Sequence, residues 1–334
     1  MYVGAAAALK FTHYWFEINS GWAEPIGDTL QEWLDDDVCQ CPDECWVAVD
    51  GVCVHGLASW WLVLRAMGEH STLCGPERSS LLTHAPNFRD LGGIVASDGR
   101  KVRSGMVFRS GVMDLLDDFD LSRLRAIGLK TVVDLRSSDE VAQRPNRLPE
   151  GVVSIHVPVR DVSAAPRAII ERIAEGDTEG MGAPMLIRGN EAFATTHRGI
   201  FAEVLAIVAD PQNWPVVMHC TAGKDRTGFS VAALLWAINV ERSVVVDDYL
   251  RSNVALDERH ATILRDVETR GLDATVLREM LTCSPQYLDA GYEAAVAAHG
   301  SIEIWCTEGL GFSPAQRGSW CDALLEPFDA LRKD

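Results

Sequence analysis

A cysteine followed six positions later by an arginine, with a glycine between them, can break a phosphate ester. The segment His219-Cys220-Thr221-Ala222-Gly223-Lys224-Asp225-Arg226-Thr227-Gly228 has that spacing. A short run that reads as a strand, Pro215 to Met218, precedes it, and a long apolar stretch follows. A strand entering and a helix leaving would wrap the loop. The backbone N–H groups of Thr221, Ala222, Gly223 and Lys224 would then point inward as an anion nest. The helix would aim its positive end at the same point. Those dipoles favour a thiolate at Cys220, which is the form that attacks phosphorus. Arg226 offers a planar fork for two phosphoryl oxygens that tightens in the transition state. Thr227 could donate its hydroxyl to the sulfur and ease its departure. Gly223 permits a backbone conformation closed to most residues.

Other readings of the segment are weaker. A lone cysteine at a strand end is usually a small buried hydrophobe; the arginine six residues on reverses that preference. A nucleotide-binding loop would need Ser or Thr after Gly223-Lys224, where this chain has Asp225. A rhodanese-like sulfurtransferase also sets a cysteine in such a turn, but has no need of Arg226-Thr227-Gly228. A non-catalytic phosphate-binding module has no need of the nucleophile.

The leaving oxygen requires a proton, and water must later be activated. Three aspartates compete for that role. Asp225 lies in the loop itself, although adjacent cations suit it better to a base. Asp161 follows the run Val157-Pro158-Val159-Arg160. Asp134 ends another apolar run and is better placed to orient Arg136. Lys224 is expected to put a second positive charge on the loop rim, which would favour a substrate with several anionic groups, such as a phosphoinositide.

The elements that must position these residues can be read from periodicity. Lys130 to Leu135 predicts a buried strand, Val152 to Val159 a second and Pro215 to Met218 a third. Leu121, Leu124 and Ile127 share one helix face, with Gly128 where a C-terminal cap belongs. Phe201 to Val208 predicts another helix. Strands alternating with helices indicate an α/β fold with a central, mostly parallel sheet flanked by helices.

Residues 1–78 differ in character from 79–334. They are rich in Trp and Cys, and Gly75-Pro76 with Ser79-Ser80 reads as a linker. Asp28 with Gln31 predicts a short helix through Leu34, and Ala58 to Met67 a second. Five of the nine cysteines precede residue 75. Cys39, Cys41, Cys45, Cys53 and His55 form a candidate zinc site, although Cys39-x-Cys41 is tighter than a standard finger spacing. The alternative is a set of small buried hydrophobes.

The composition narrows the partners. The chain has 334 residues, 47% hydrophobic and 23% charged, with a formal net charge of −18. A net basic face, which general nucleic-acid or anionic-membrane binding requires, is not expected. The run Val231 to Ile238 is about half the length needed to span a bilayer, and the N-terminus lacks the basic start of a signal peptide. The expected compartment is the cytoplasm, with no integral membrane segment.

The segment 219–228 resembles the signature loop of the protein tyrosine phosphatase superfamily. More narrowly, it is similar to the bacterial and fungal group whose loop reads His-Cys-x-Ala-Gly-Lys-Asp-Arg-Thr-Gly. The similarity continues through Asn87-Phe88-Arg89-Asp90-Leu91-Gly92-Gly93, Asp98-Gly99-Arg100, Val102-Arg103-Ser104-Gly105, Phe108-Arg109-Ser110 and Asp134-Leu135-Arg136. It resumes at Asp248-Tyr249-Leu250, Ser252-Asn253, Tyr287-Leu288, Gly300-Ser301 and Leu310-Gly311, so it covers roughly 81–330. Trp305 departs from it, standing where Tyr is expected. The resemblance implies a phosphatase-type α/β domain that hydrolyses phosphotyrosine protein, with phosphoinositide and phosphoserine/threonine activity in some members. It implies a phosphocysteine intermediate at Cys220 and no metal cofactor for catalysis. It also favours Asp225 as the acid, because this group carries Asp there.

Overall fold

The computed structural model describes residues 9, 12, 25, 27–35, 38–67, 82–159 and 166–327. The chain divides into two compact units, Met1–Ser79 and Ser80–Asp334.

The first unit is small. Helix α1 (Gly27–Asp35) begins one residue before Asp28, so Asp28 lies in its first turn. Strands β1 (Val38–Gln40) and β2 (Trp46–Ala48) pair antiparallel, and helix α2 (Trp60–Met67) follows. Leu30, Cys39, Ala58, Trp60, Val63 and Leu64 form its apolar core. The predicted linker around Gly75-Pro76 lies outside the described residues.

The second unit is built on a five-stranded sheet of order β3-β5-β8-β6-β7. Strands β5 (Val107–Ser110), β8 (Val216–His219), β6 (Thr131–Asp134) and β7 (Val153–His156) run parallel. The short edge strand β3 (Arg89–Asp90) is antiparallel to β5. β5, β6 and β8 are buried at every position; β6 and β8 bring paired valines to the core, whereas β5 (Val-Phe-Arg-Ser) also buries Arg109. β7 closes the other edge and is largely exposed, so it is shorter than the apolar run 152–159 predicts. A separate two-stranded pair joins β4 (Lys101–Val102) to β9 (Leu325–Glu326).

Helices cover this sheet: α3 (Asp118–Ala126), α4 (Ser138–Gln143), α5 (Pro166–Ala174), α6 (Ala183–Ala194), α7 (Arg198–Val208), α8 (Asp225–Ala237), α9 (Arg242–Thr269), α10 (Thr275–Leu281), α11 (Pro285–His299) and α12 (Pro314–Leu324). α3 buries Leu121 and Leu124 and is followed by Gly128 at φ +67°. The apolar run from Val231 belongs to α8, which is buried from Arg226 to Ala237 and forms the centre of the core with Phe193, Phe201 and Trp305. Trp305 is fully buried and donates from Nε1 to the Ala194 carbonyl at 2.8 Å. No described helix is long and apolar enough to cross a membrane. The carboxyl ends of β5, β6 and β8 meet at Ser110, Asp134 and His219, and the Cys220–Lys224 loop leaves from there.

Candidate active site

The loop between β8 and α8 carries Cys220 at its start and Arg226 in the first turn of the helix. Cys220 is 2% exposed. Gly223 has φ +68°, and a Cβ there would stand 2.5 Å from the Ser110 carbonyl oxygen, so the turn and the close approach to β5 both require glycine.

The loop is pinned from behind. His219 Nδ1 faces the Cys220 carbonyl at 3.1 Å. Its Nε2 lies 3.0 Å from Asn146 Nδ2 and 3.4 Å from Asp134 Oδ2. The Gly223 carbonyl accepts from Asn87 Nδ2 at 2.8 Å and from Arg109 Nη2 at 2.7 Å. Arg109, wholly buried, also donates to Asp248 Oδ2 at 2.5 Å, and Arg89 donates to Asp248 Oδ1 at 3.2 Å. Burial pushes the Asp248 carboxyl up, but Arg109 and Arg89 hold it below the usual range. Asp248, Tyr249 and Ser252 face the loop from α9, which can come this close because a Cβ on Gly228 would lie 2.8 Å from the Tyr249 ring.

Arg226 is only 7% exposed, and its fork is already oriented. Nη1 donates to Glu140 Oε2 at 2.7 Å and Nη2 to Glu140 Oε1 at 3.0 Å, the parallel geometry a carboxylate makes with a guanidinium. Thr221 Oγ1 also donates to Glu140 Oε1. Burial pushes the Glu140 carboxyl up, yet Arg226 outweighs it and the value falls to about 2. Glu140 sits at the third position of α4, where it closes a capping box with Ser137. The Ser-x-x-Glu pattern of that box was visible in the sequence. Nothing in the sequence joined it to an arginine 86 residues away.

Asp225 accepts from the Tyr249 hydroxyl at 3.2 Å, and Lys224 Nζ is 3.5 Å from its other oxygen. Burial, then Asp225, raises the Tyr249 phenol well above its ordinary value, so it acts as a donor. Tyr249 is thus both core and a direct neighbour of Asp225.

Lys224 departs from the expected position on the rim. It is 3% exposed, and Nζ donates to the Met280 carbonyl at 2.5 Å, at the end of α10. Carbonyls at a helix C-terminus attract a cation, which draws this side chain inward. The Thr227 hydroxyl is buried and makes no hydrogen bond among the described residues. Thr221 and Gly223 act in the loop as described above, and Ala222 packs near Gly111. Arg136 grips Asp134 through Nε at 2.9 Å and Nη2 at 2.6 Å, as a carboxylate-pairing arginine behind the loop. Asp161 lies outside the described residues.

The N-terminal candidates divide. Cys45, Cys53 and His55 come together, and Asp43, which the sequence did not single out, joins them. Cys39 and Cys41 are not in that group. Cys39 is wholly buried in the apolar core and points its thiol toward the Gln40 carbonyl, and the Cys41 thiol donates to the Leu57 carbonyl at 3.3 Å.

Residues 81–326 match the tyrosine phosphatase family. A protein of Cupriavidus necator, provisionally named a tyrosine-protein phosphatase, is 33% identical over 231 residues, 69% of this chain and 83% of that one. The Triple specificity protein phosphatase PtpB of Mycobacterium tuberculosis is 34% identical over 230 residues, 63% of this chain and 82% of that one. The family match over residues 81–326, which include this loop, shows that the protein belongs to the tyrosine phosphatase family and is a phosphoric monoester hydrolase.

Proposed function

We propose that the site hydrolyses phosphate monoesters in two steps through a phosphocysteine. In the first, Cys220 Sγ attacks phosphorus as the P–O bond to the leaving group breaks, and Asp225 gives its proton to the leaving oxygen. In the second, a water oxygen attacks phosphorus while Asp225 takes its proton. The P–S bond then breaks, and inorganic phosphate leaves with the thiolate restored. Loop N–H groups and the Arg226 fork carry the oxygen charge throughout. Every proton and electron pair is accounted for by the chain and water, so this scheme calls on no metal.

The observation that supports the reading best is the prepositioned fork. A guanidinium held by both oxygens of Glu140, six residues after a buried cysteine in the same loop, has its orientation set before substrate arrives. A docking module would have no use for the nucleophile. Asp225 is preferred as the acid because it is in the loop and carries a hydroxyl donor, Tyr249, that can orient its carboxyl.

The substrate we propose is phosphotyrosine in proteins. The buried position of Lys224 removes the charge argument for phosphoinositides, while a relative named for triple specificity argues for a wider panel. Turnover of para-nitrophenyl phosphate with EDTA present, without sulfur transfer from thiosulfate to cyanide, is the expected result. Sulfur transfer without phosphate release would make the protein a sulfurtransferase. Tight phosphate binding without turnover would make it a docking module. Phosphotyrosine peptides, phosphoserine peptides and phosphoinositides compared side by side would then rank the substrates.

A further inference from the structure

Outside the phosphatase unit, two tight loops of the N-terminal unit converge. The first, 41–45, is closed by Cys41 N–H to the Cys45 carbonyl at 2.8 Å and turns at Glu44, with φ +65°. The second, 53–57, is closed by Cys53 N–H to the Leu57 carbonyl at 2.9 Å and turns at Gly56, with φ +86°. Between them, Asp43, Cys45, Cys53 and His55 each present one donor atom, all within 4.8 Å of one another.

Three of the separations have the length of tetrahedral edges. Cys45 Sγ is 3.5 Å from His55 Nδ1 and 3.5 Å from Asp43 Oδ2, and Cys53 Sγ is 3.6 Å from the same oxygen. With zinc–sulfur bonds of about 2.3 Å and zinc–nitrogen or zinc–oxygen bonds of about 2.0–2.2 Å, tetrahedral edges of this kind come to about 3.5–3.7 Å. The Asp43–His55 edge is shorter, 2.5 Å, a direct hydrogen bond that coordination would replace. A core role does not explain His55, whose side chain is 63% exposed beside Val54 at 94%. Two sulfurs with one imidazole and one carboxylate suit a borderline-soft cation and exclude calcium or magnesium.

We propose that Asp43, Cys45, Cys53 and His55 hold one zinc ion in a closed structural site that ties loop 41–45 to loop 53–57. Cys45 and Cys53 bind as thiolates and release their protons to solvent. Four protein ligands leave no open position for chemistry, so the ion serves folding. The apolar packing of the two loops is small, Cys41, Cys53 and Leu57 with Cys45 and Val47 against them, and is separate from the core around Leu30 and Trp60, so the ion would supply the tie between the loops that this packing does not.

The test uses the full chain, purified without chelator. Elemental analysis should find one zinc per chain. After chelation and reloading with Co²⁺, the visible spectrum should show tetrahedral cobalt with thiolate charge transfer. Cys53→Ser and Asp43→Ala should lose the stoichiometric metal, and Cys41→Ser should keep it. Absence of both zinc and the cobalt spectrum in the unmutated chain would overturn the proposal, as would a Cys45–Cys53 disulfide in its peptide map. Loss of metal in Cys41→Ser with retention in Asp43→Ala would overturn this ligand set. If Cys53→Ser does not fold, the unmutated metal content and the other two variants still decide.

Discussion

The arginine that would grip substrate is set by a residue that never needs to touch it. Glu140 holds both Nη atoms of Arg226, so Glu140→Gln removes the charge and one acceptor while keeping the shape. A misdirected fork should lower kcat on the order of 10²-fold, with a smaller change in KM. A change of two-fold or less would mean that the loop alone orients Arg226. The pair also predicts a pH dependence. The folded Glu140 value is depressed to about 2, below the ordinary carboxyl value of about 4.3. Its contribution to stability is therefore complete above the unfolded value and is lost as pH falls from there through about 2. The stability gap between the native chain and Glu140→Gln, followed by thermal unfolding, should close across that window and stay constant above it. The choice of acid is tested at the same scale. Asp225→Asn should lose the basic limb of the pH–rate profile and suffer most with alkyl phosphates, while activated aryl phosphates are spared. Full alkyl phosphate turnover by Asp225→Asn, with loss in Asp161→Asn, would transfer the role to Asp161. The cysteine, the arginine and the three aspartates were all legible as residue types. Glu140 and Asn87 were not legible as parts of the site, because each reaches the loop across a sequence gap that no local pattern spans.

At the level of elements, the site depends on three strand ends held together by buried charge. Asp134 at the end of β6 binds Arg136, Asn146 and His219, and His219 in turn holds the Cys220 carbonyl. Burial pushes the Asp134 carboxyl up, but Arg136 and His219 hold it well below the usual range. Asp134→Ala would strand Arg136, 1% exposed, without its partner. Removing one member of a buried ion pair costs about 3–5 kcal/mol. The denaturant midpoint should fall accordingly with an unchanged slope. A loss under about 1 kcal/mol would show that Asn146 and water compensate. β6 and β8 were readable because paired valines run through each, as buried parallel strands favour; β5, equally buried, reads Val-Phe-Arg-Ser and gives no such run. β7 was overextended because an apolar run says little about where an edge strand stops pairing. The long helix α9 gives no such signal. It carries polar Asp248 and Ser252 into the interior, where they serve the loop rather than the core. Lys224 was misplaced for a related reason: the carbonyls that attract it belong to α10, 56 residues further on.

At the scale of the whole molecule, the chain carries a net charge of −18, while the proposed reaction asks its loop to bind an anion. In that proposal the binding charge is local: loop amides, the start of α8 and the Arg226 guanidinium held by Glu140. Specific phosphate recognition does not require a basic protein when the donors are converged and shielded from water. The same architecture makes the nucleophile testable apart from binding, because Cys220→Ser leaves the amides and Arg226 in place. The decisive measurement is turnover of para-nitrophenyl phosphate by purified Cys220→Ser, with tungstate binding measured on the same sample to show an intact loop. The account predicts tungstate affinity within a few-fold of the native chain and no turnover above the uncatalysed rate, since a serine hydroxyl is not ionised there at neutral pH. Native-level turnover by that variant would contradict it.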